Sequence, residues 1–308
     1  MPPSPRLASS LPPDLRYQPG QKALRMQIKI LGSAALGGYP QWNCAGHNCN
    51  GLRTGSLRGK PRTQTQIAFS PVDGIWFLVG ASPDLRAQVL ATPELAPTPD
   101  VPSPVAGLFL PSSDLEDLQG LLQLCDIRST FVFATPATQK ILKMEGRIFP
   151  SSDGSRAAVQ WQGLSARRRI GCHLSENPGD AATFFYTSVP LGGGYPDYLS
   201  EEARRGLALE EAHTAFLLEQ ADKKILMAPR ICGGNSEWLK IAESSDVALL
   251  DAHYWHELLE QFPRDANTRK ILLRLHHESP LLDESSDEYR TTVEAGFEIA
   301  YDGMAITV

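Results

Sequence analysis

Apolar and polar residues alternate in short runs along most of this 308-residue chain, and glycine and proline break the runs. QIKILGS (27–33) alternates and then stops at Gly32, which predicts a strand entering a loop. TQIAFS and GIWFLVGAS predict two further strands joined by a turn at PVDG. A proline-rich connector then leads to VAGLFLP, a short apolar strand of the buried kind. SSDLEDLQGLLQL has a Ser/Asp start and apolar residues at helical spacing, so it predicts a capped helix.

From there the two periods take turns. TFVFATP predicts a strand and PATQKILKM a helix, while AVQWQGL and TFFYTSVPL predict strands. TAFLLEQ and KILMAP, separated by ADK, predict a hairpin. DVALLDAHYW predicts a strand ending at Asp251, HELLEQF a helix and KILLRLHH a strand. SDEYRTTVEAG predicts a helix stopped by Gly296, and FEIAY the last strand. Many strands with helices enough for both faces predict an α/β sandwich in one domain over residues 26–308. Residues 1–25 are rich in Pro and Ser and aperiodic, which predicts a disordered extension. Met26, directly before the first strand, is a candidate start of the domain.

Composition narrows the function classes. A net charge of -6 without a long basic run disfavours a nucleic-acid or anionic-membrane surface. No apolar run nears the length needed to span a bilayer, and the N-terminus lacks the apolar core of a secretory signal. The expectation is a cytoplasmic protein. Five cysteines without framework spacing read as metal ligands or packed thiols rather than disulfides, and Cys125, Cys172 and Cys232 as the packed kind. Cys44, His47 and Cys49 stand close enough to share a metal, or to be two free thiols beside a solvated histidine. SARRRIG reads as a solvated face, LGGGYP as a flexible loop, and His173 and His213 as solvated histidines. No nucleophile elbow is present.

Several segments together resemble the coenzyme PQQ synthesis protein B (PqqB) family, a branch of the metallo-β-lactamase fold. They are MQIKILGSAALGGYPQWNC, LRGKPRTQTQIAFS, GASPDLR, FATPA, LLDAHYW and SPLLDESSDEYRTTVEAGFEIAYDGM. The resemblance runs from Met26 to about Val308 and implies an αββα sandwich with metal-binding loops along one edge. It implies a role in pyrroloquinoline quinone biosynthesis, with metal-dependent oxidation of the tyrosine ring of a peptide-derived Glu–Tyr precursor.

The departures from that pattern bear on activity. The fold's usual His-x-His-x-Asp-His loop reads here SSDLED: Ser112 and Asp114 stand for the alternating histidines, Glu116 for the aspartate and Asp117 for the last histidine. Arg274 falls where a further ligand histidine is expected, and a cation there argues against a neighbouring divalent ion. Asp251 keeps the carboxylate that commonly bridges metals in this fold. The candidate catalytic set is therefore Asp114, Glu116, Asp117, Asp251 and His253, with iron as the metal the family reading brings. Against it, Asp114 can cap a helix whose dipole Glu116 and Asp117 favour, and His253 can pack beside Trp255.

The family's Cys-x-Cys-x-x-Cys after WN is matched by Cys44 and Cys49, with Gly46 in the middle place and His47 beside the gap. Counting from Arg274, the resemblance places the fourth ligand at His277, with His276 second. Two thiolates and two imidazoles suit tetrahedral zinc that closes the loop 34–62 and does no chemistry. Three functions stand open: the PQQ-pathway enzyme, a zinc-stabilised binding or accessory protein with a reused cleft, and a phosphodiesterase-type hydrolase whose metal residues are missing. The expected ligand is small or peptide-derived, and a homodimer is left open.

Overall fold

The computed structural model describes residues 17, 25–99, 101, 103–124, 130–144, 159–175, 183–231, 237–263 and 266–308. Cys125, Cys232 and most of the first 25 residues lie outside them. Within them the strands are β1 (Gln27–Gly32), β2 (Gln66–Val72), β3 (Ile75–Val79), β4 (Val105–Phe109), β5 (Thr130–Ala134), β6 (Val159–Gly163) and β7 (Arg169–His173). They continue as β8 (Thr183–Gly192), β9 (His213–Gln220), β10 (Lys223–Ala228), β11 (Val247–Asp251), β12 (Arg269–Leu273), β13 (Phe297–Ile299) and β14 (Met304–Thr307). The helices are α1 (His47–Thr54), α2 (Leu85–Leu90), α3 (Leu115–Leu118), α4 (Leu121–Leu124), α5 (Pro136–Met144), α6 (Glu201–Arg204), α7 (Glu237–Glu243), α8 (Trp255–Gln261) and α9 (Asp287–Glu294).

The strands form two seven-stranded sheets, ordered β14-β1-β2-β3-β4-β5-β6 and β13-β12-β11-β10-β9-β8-β7. In each sheet an antiparallel stretch passes into a parallel one: β3 to β6 run parallel in the first, β10 to β13 in the second. Parallel strands are covered on both faces, and each sheet here has a core on either side. Between the sheets, Phe69, Phe77, Phe109 and Phe133 meet Phe184, Tyr186 and Phe216. The Phe109 and Phe133 rings stack with centroids 4.2 Å apart. On the outer face of the first sheet, Ala68, Leu78, Leu108 and Val132 pack against Leu85, Leu121 and Leu142 of α2, α4 and α5. On the outer face of the second, Leu226, Leu250 and Leu272 pack against Trp238, Trp255 and Leu258 of α7 and α8. This is the αββα sandwich.

Several elements differ from the expectation. The helix expected over 112–124 is two short helices broken at Gly120, where a Cβ would sit 2.4 Å from the Ser82 carbonyl oxygen. Arg169, in the run read as a solvated face, opens β7 and pairs with Thr187 of β8. FEIAY is followed by one more strand: β14 returns to the first sheet and pairs antiparallel with β1, Gln27 opposite Thr307. The hairpin β9–β10 forms as expected, with Ala221 at φ +53 in its turn. α9 starts as its sequence indicates, the Ser286 side chain accepting from the Tyr289 N–H.

Candidate functional site

The parallel strands place their C-terminal ends along one edge of the sandwich, where α/β sheets gather functional groups. β11 ends at Asp251, β12 is followed directly by Arg274, and Arg230 stands two residues beyond β10. β4 of the other sheet is followed by the loop carrying Ser112, Asp114, Glu116 and Asp117. β9 runs antiparallel to β10, so its first residue, His213, arrives at the same edge. A bridge between Ser112 and His213, with the Thr214 N–H donating to the Pro111 carbonyl at 2.8 Å, joins the sheets there.

Two guanidiniums occupy the centre. Arg274 Nη2 lies 2.8 Å from Glu116 Oε1, and Nη1 lies 3.3 Å from Asp251 Oδ2. Arg230 Nη1 lies 2.7 Å from Asp114 Oδ2, and its Nη2 also contacts Glu116 Oε1. Asp114 Oδ2 in addition lies 3.1 Å from His213 Nε2. Asp251, only 1% exposed, also accepts the backbone N–H groups of Ile231 and His253. Glu116 thus bridges both arginines, and Asp114 and Asp251 flank them.

The electrostatics follow from this. Burial pushes the Asp251 carboxyl up, against the pull of Arg274 and the two backbone donors. Burial would also raise Asp114, but its bond to His213 and the Arg230 charge outweigh it, leaving the carboxyl below its ordinary value. Asp117 makes no ion pair among the described residues: burial, with the charge of Asp114, pushes it up to about 6, although the Ser112 hydroxyl donates to it at 2.5 Å and the Arg274 charge pulls the other way.

The candidate catalytic set is therefore only partly gathered. Asp114, Glu116 and Asp251 converge, but around Arg230 and Arg274. Asp117 turns aside to Ser112. His253 is exposed and lies against Tyr254 rather than Trp255, the ring centroids 5.1 Å apart. Asp114 holds the cap position of α3 without making a cap bond, because its carboxylate is spent on His213 and Arg230. His213, read as solvated, is 5% exposed and part of the cluster. Sequence reasoning passed over Arg230 altogether, and no local spacing in MAPRIC marks it. A divalent ion needs free carboxylate lone pairs and strongly disfavours adjacent fixed cations. As arranged, these residues do not fit iron.

The second candidate metal set lies beside this cluster. Arg274 adopts φ +63, and the chain then docks on the loop after β1: the Leu275 N–H donates to the Ser33 carbonyl and the Ala35 N–H to that of Leu275. Cys49 is fully buried in α1 as a free thiol that hydrogen-bonds with the free Cys44 thiol and accepts the Gln41 N–H at 3.3 Å. Burial raises the Cys49 thiol. Asn48 Nδ2 donates to the Ser279 carbonyl at 3.0 Å, tying α1 to the loop after His277. His47 is exposed at the start of α1, on the side of Asp283. His277 Nδ1 is buried and has no hydrogen-bond partner. Its ring joins His276 and Glu278, the only group among the described residues in which three such ligand atoms come within 4.8 Å of one another. So the thiols meet, and the orphaned imidazole nitrogen lies in the segment that α1 touches. This donor chemistry fits zinc, although the ligand atoms of the four residues do not converge on one point.

Between the two clusters opens a cavity of about 530 Å³, lined by Arg230, Arg274, Asp251, Tyr254, Gln41 and the histidines 253, 276 and 277. No helix among the described residues is long and apolar enough to cross a membrane.

Residues 75–302 match the family model described as beta-lactamase superfamily domain. Coenzyme PQQ synthesis protein B of Pseudomonas protegens is 30% identical, over 91% of this chain and 99% of that protein. The protein of the same name from Acinetobacter baylyi is 29% identical, over 92% and 100%. Among solved structures, that of zinc-bound PqqB from Methylobacterium extorquens superposes with a TM-score of 0.75 at 24% identity, over 92% of this chain and all of that one.

Proposed function

The chain belongs to the coenzyme PQQ synthesis protein B family, within the beta-lactamase superfamily, and from that premise we propose that it works in PQQ biosynthesis on a peptide-derived Glu–Tyr precursor. The observation that carries the reading is the end-to-end match: relatives named for this synthesis align over 99% and 100% of their length. The finer reading, oxidation of the tyrosine ring by a cleft-bound iron, has no ligand set to rest on, because the cleft carboxylates are bound to Arg230 and Arg274. No step through a metal in the cleft follows from this arrangement.

Zinc belongs to the other set. The zinc named for the Methylobacterium structure supports a zinc held here by Cys44 and Cys49, with His277 and His47 as the imidazoles within the same loop system. When bound it supplies a cross-link between α1 and the segment after β12. In that role the residues orient the cavity wall and take no part in bond making. One observation favours a second reading, a binding protein without turnover: every carboxylate candidate for a catalytic metal except Asp117 is engaged by a guanidinium.

The test is complementation. A PQQ-producing bacterium lacking its own copy of this protein receives the chain, and the coenzyme is quantified by mass spectrometry. Restored PQQ is the expected result. A well-expressed chain that restores none removes the pathway enzyme reading and leaves the binding protein.

A further inference from the structure

Two arginines, Gln41, Tyr254 and the histidines 253, 276 and 277 face the 530 Å³ cavity, and the carboxylates that hold the arginines mostly do not. Arg230 and Arg274 line it, whereas Asp114 and Glu116, which hold them in place, stand outside its wall. Asp251 alone among the acids reaches the lining, 1% exposed and already accepting two backbone N–H groups and Arg274. Gln41 and Tyr254 add an amide and a hydroxyl. The volume is that of a small-ligand pocket.

We propose that Arg230 and Arg274 are the resident cations of this cleft in place of divalent metal ions, and that the cavity they floor recognises a carboxylate-bearing small molecule by direct guanidinium contact. This deepens the pathway reading by naming how the site would take its ligand.

Three physical arguments converge. A guanidinium presents five donors in a rigid fork, so Arg274, bonded to two carboxylate oxygens, keeps donors for another anion. Arg274 uses Nη2 on Glu116 and Nη1 on Asp251, and its place at the end of β12 aims it across the mouth of the parallel strands. Glu116 and Asp114 fix both side chains in advance, so a ligand finds the donors already oriented. The burial of the cluster strengthens each charge-assisted bond relative to water. The same arrangement works against a divalent ion, which would have to displace two fixed cations to reach any of the three carboxylates.

The experiment is isothermal titration with two probes, the dipeptide glutamyl-tyrosine and its carboxylate-free analogue glutaminyl-tyrosinamide, on the zinc-loaded protein in buffer without iron. The proteins are wild type and the charge-balanced pair Arg274→Gln/Glu116→Gln. Zinc-loaded wild type is expected to bind the dipeptide without iron, and the analogue at least about tenfold more weakly. The paired variant is expected to lose at least about tenfold for the dipeptide, with its circular dichroism unchanged. Three results overturn the proposal: no binding by zinc-loaded wild type, binding that appears only when ferrous ion is added, or equal affinity for both probes. An unchanged affinity in the folded paired variant overturns it as well. Should that variant fail to fold, the comparison of probes on wild type decides alone. Carboxylate binding without complementation sinks the pathway reading and spares this one; complementation without binding does the reverse.

Discussion

Arg274 and Asp251 face each other at 3.3 Å across the ends of β12 and β11, and the aspartate is the more deeply buried partner. Leu273 pairs with Asp251 in the ladder, so the residue after it is the first that can turn toward the carboxylate. Arg274 does so at φ +63, a conformation that is costly for a residue with a Cβ. The strain is accepted where a buried charge needs a partner.

Removing that partner alone should be expensive. Arg274→Ala leaves Glu116 and Asp251 short of a cation in a buried cluster, and is expected to lower unfolding stability by about 3–5 kcal/mol. Arg274→Ala combined with Glu116→Gln should recover part of the loss. Urea denaturation of the single and double variants measures the coupling, and additive losses would count against the cluster as described.

Asp117 gives a pH signature of definite sign. Its carboxyl titrates near 6 in the folded chain and near 4 when unfolded. The native state therefore binds the extra proton between those values, and the Asp117 contribution falls as pH rises from about 4 to about 6, by about 3 kcal/mol in all. Asp114, whose carboxyl is depressed, works the other way, its contribution being lost as pH falls through its lowered value. The difference between wild type and Asp117→Asn, followed by thermal melts from pH 4 to 7, isolates the first effect. Asp117→Asn should be relatively more stable at pH 7 than at pH 4, and parallel curves would refute the assignment.

Gly46 offers a gain-of-function test of the thiol site. A Cβ there would lie 3.3 Å from Cys44 Sγ, and the residue's φ of -62 suits any side chain. Gly46→Cys would set a third thiolate beside the existing pair. Zinc affinity, read by competition with a chromophoric chelator, is expected to rise on the order of tenfold or more. Equal affinities would place the metal elsewhere.

Chelation should separate a loop clamp from a catalytic metal. EDTA is expected to lower the melting temperature of zinc-loaded wild type and to leave that of Cys44→Ser/Cys49→Ser unmoved. Elemental analysis of the same samples should find about one zinc per chain in the first and none in the second. Zinc retained by the double variant would shift attention to His276, His277 and Glu278.

The elements that could be read from the sequence were those with strong local periodicity. The phenylalanine strands β2 to β5, the β9–β10 hairpin, the end of β11 at Asp251 and the start of α9 at Ser286 all carry their own signal. The helix after β4 could not be read correctly, because Gly120 breaks it to approach the Ala81–Ser82 backbone, a contact invisible in the local pattern. β7 was hidden because RRRIG reads as a charged surface until β8 supplies its partner. At the site, the displacement of ligand histidines and the arrival of Arg274 followed from spacing against the family pattern. Arg230 and His213 did not: each meets Asp114 across about a hundred residues of chain, and only the folded sheets bring them to one edge.

The pairing of β14 with β1 has a topological corollary. The Val308 N–H donates to the Met26 carbonyl at 3.0 Å, so the last strand and the first lie side by side at the end of one sheet. A linker of a few residues could join them into a closed ring, and new ends could be opened at the exposed Asp73–Gly74 turn. A circular permutant cut there would keep every strand pair of both sheets while moving β1 and β2 from the first strands made on the ribosome to the last.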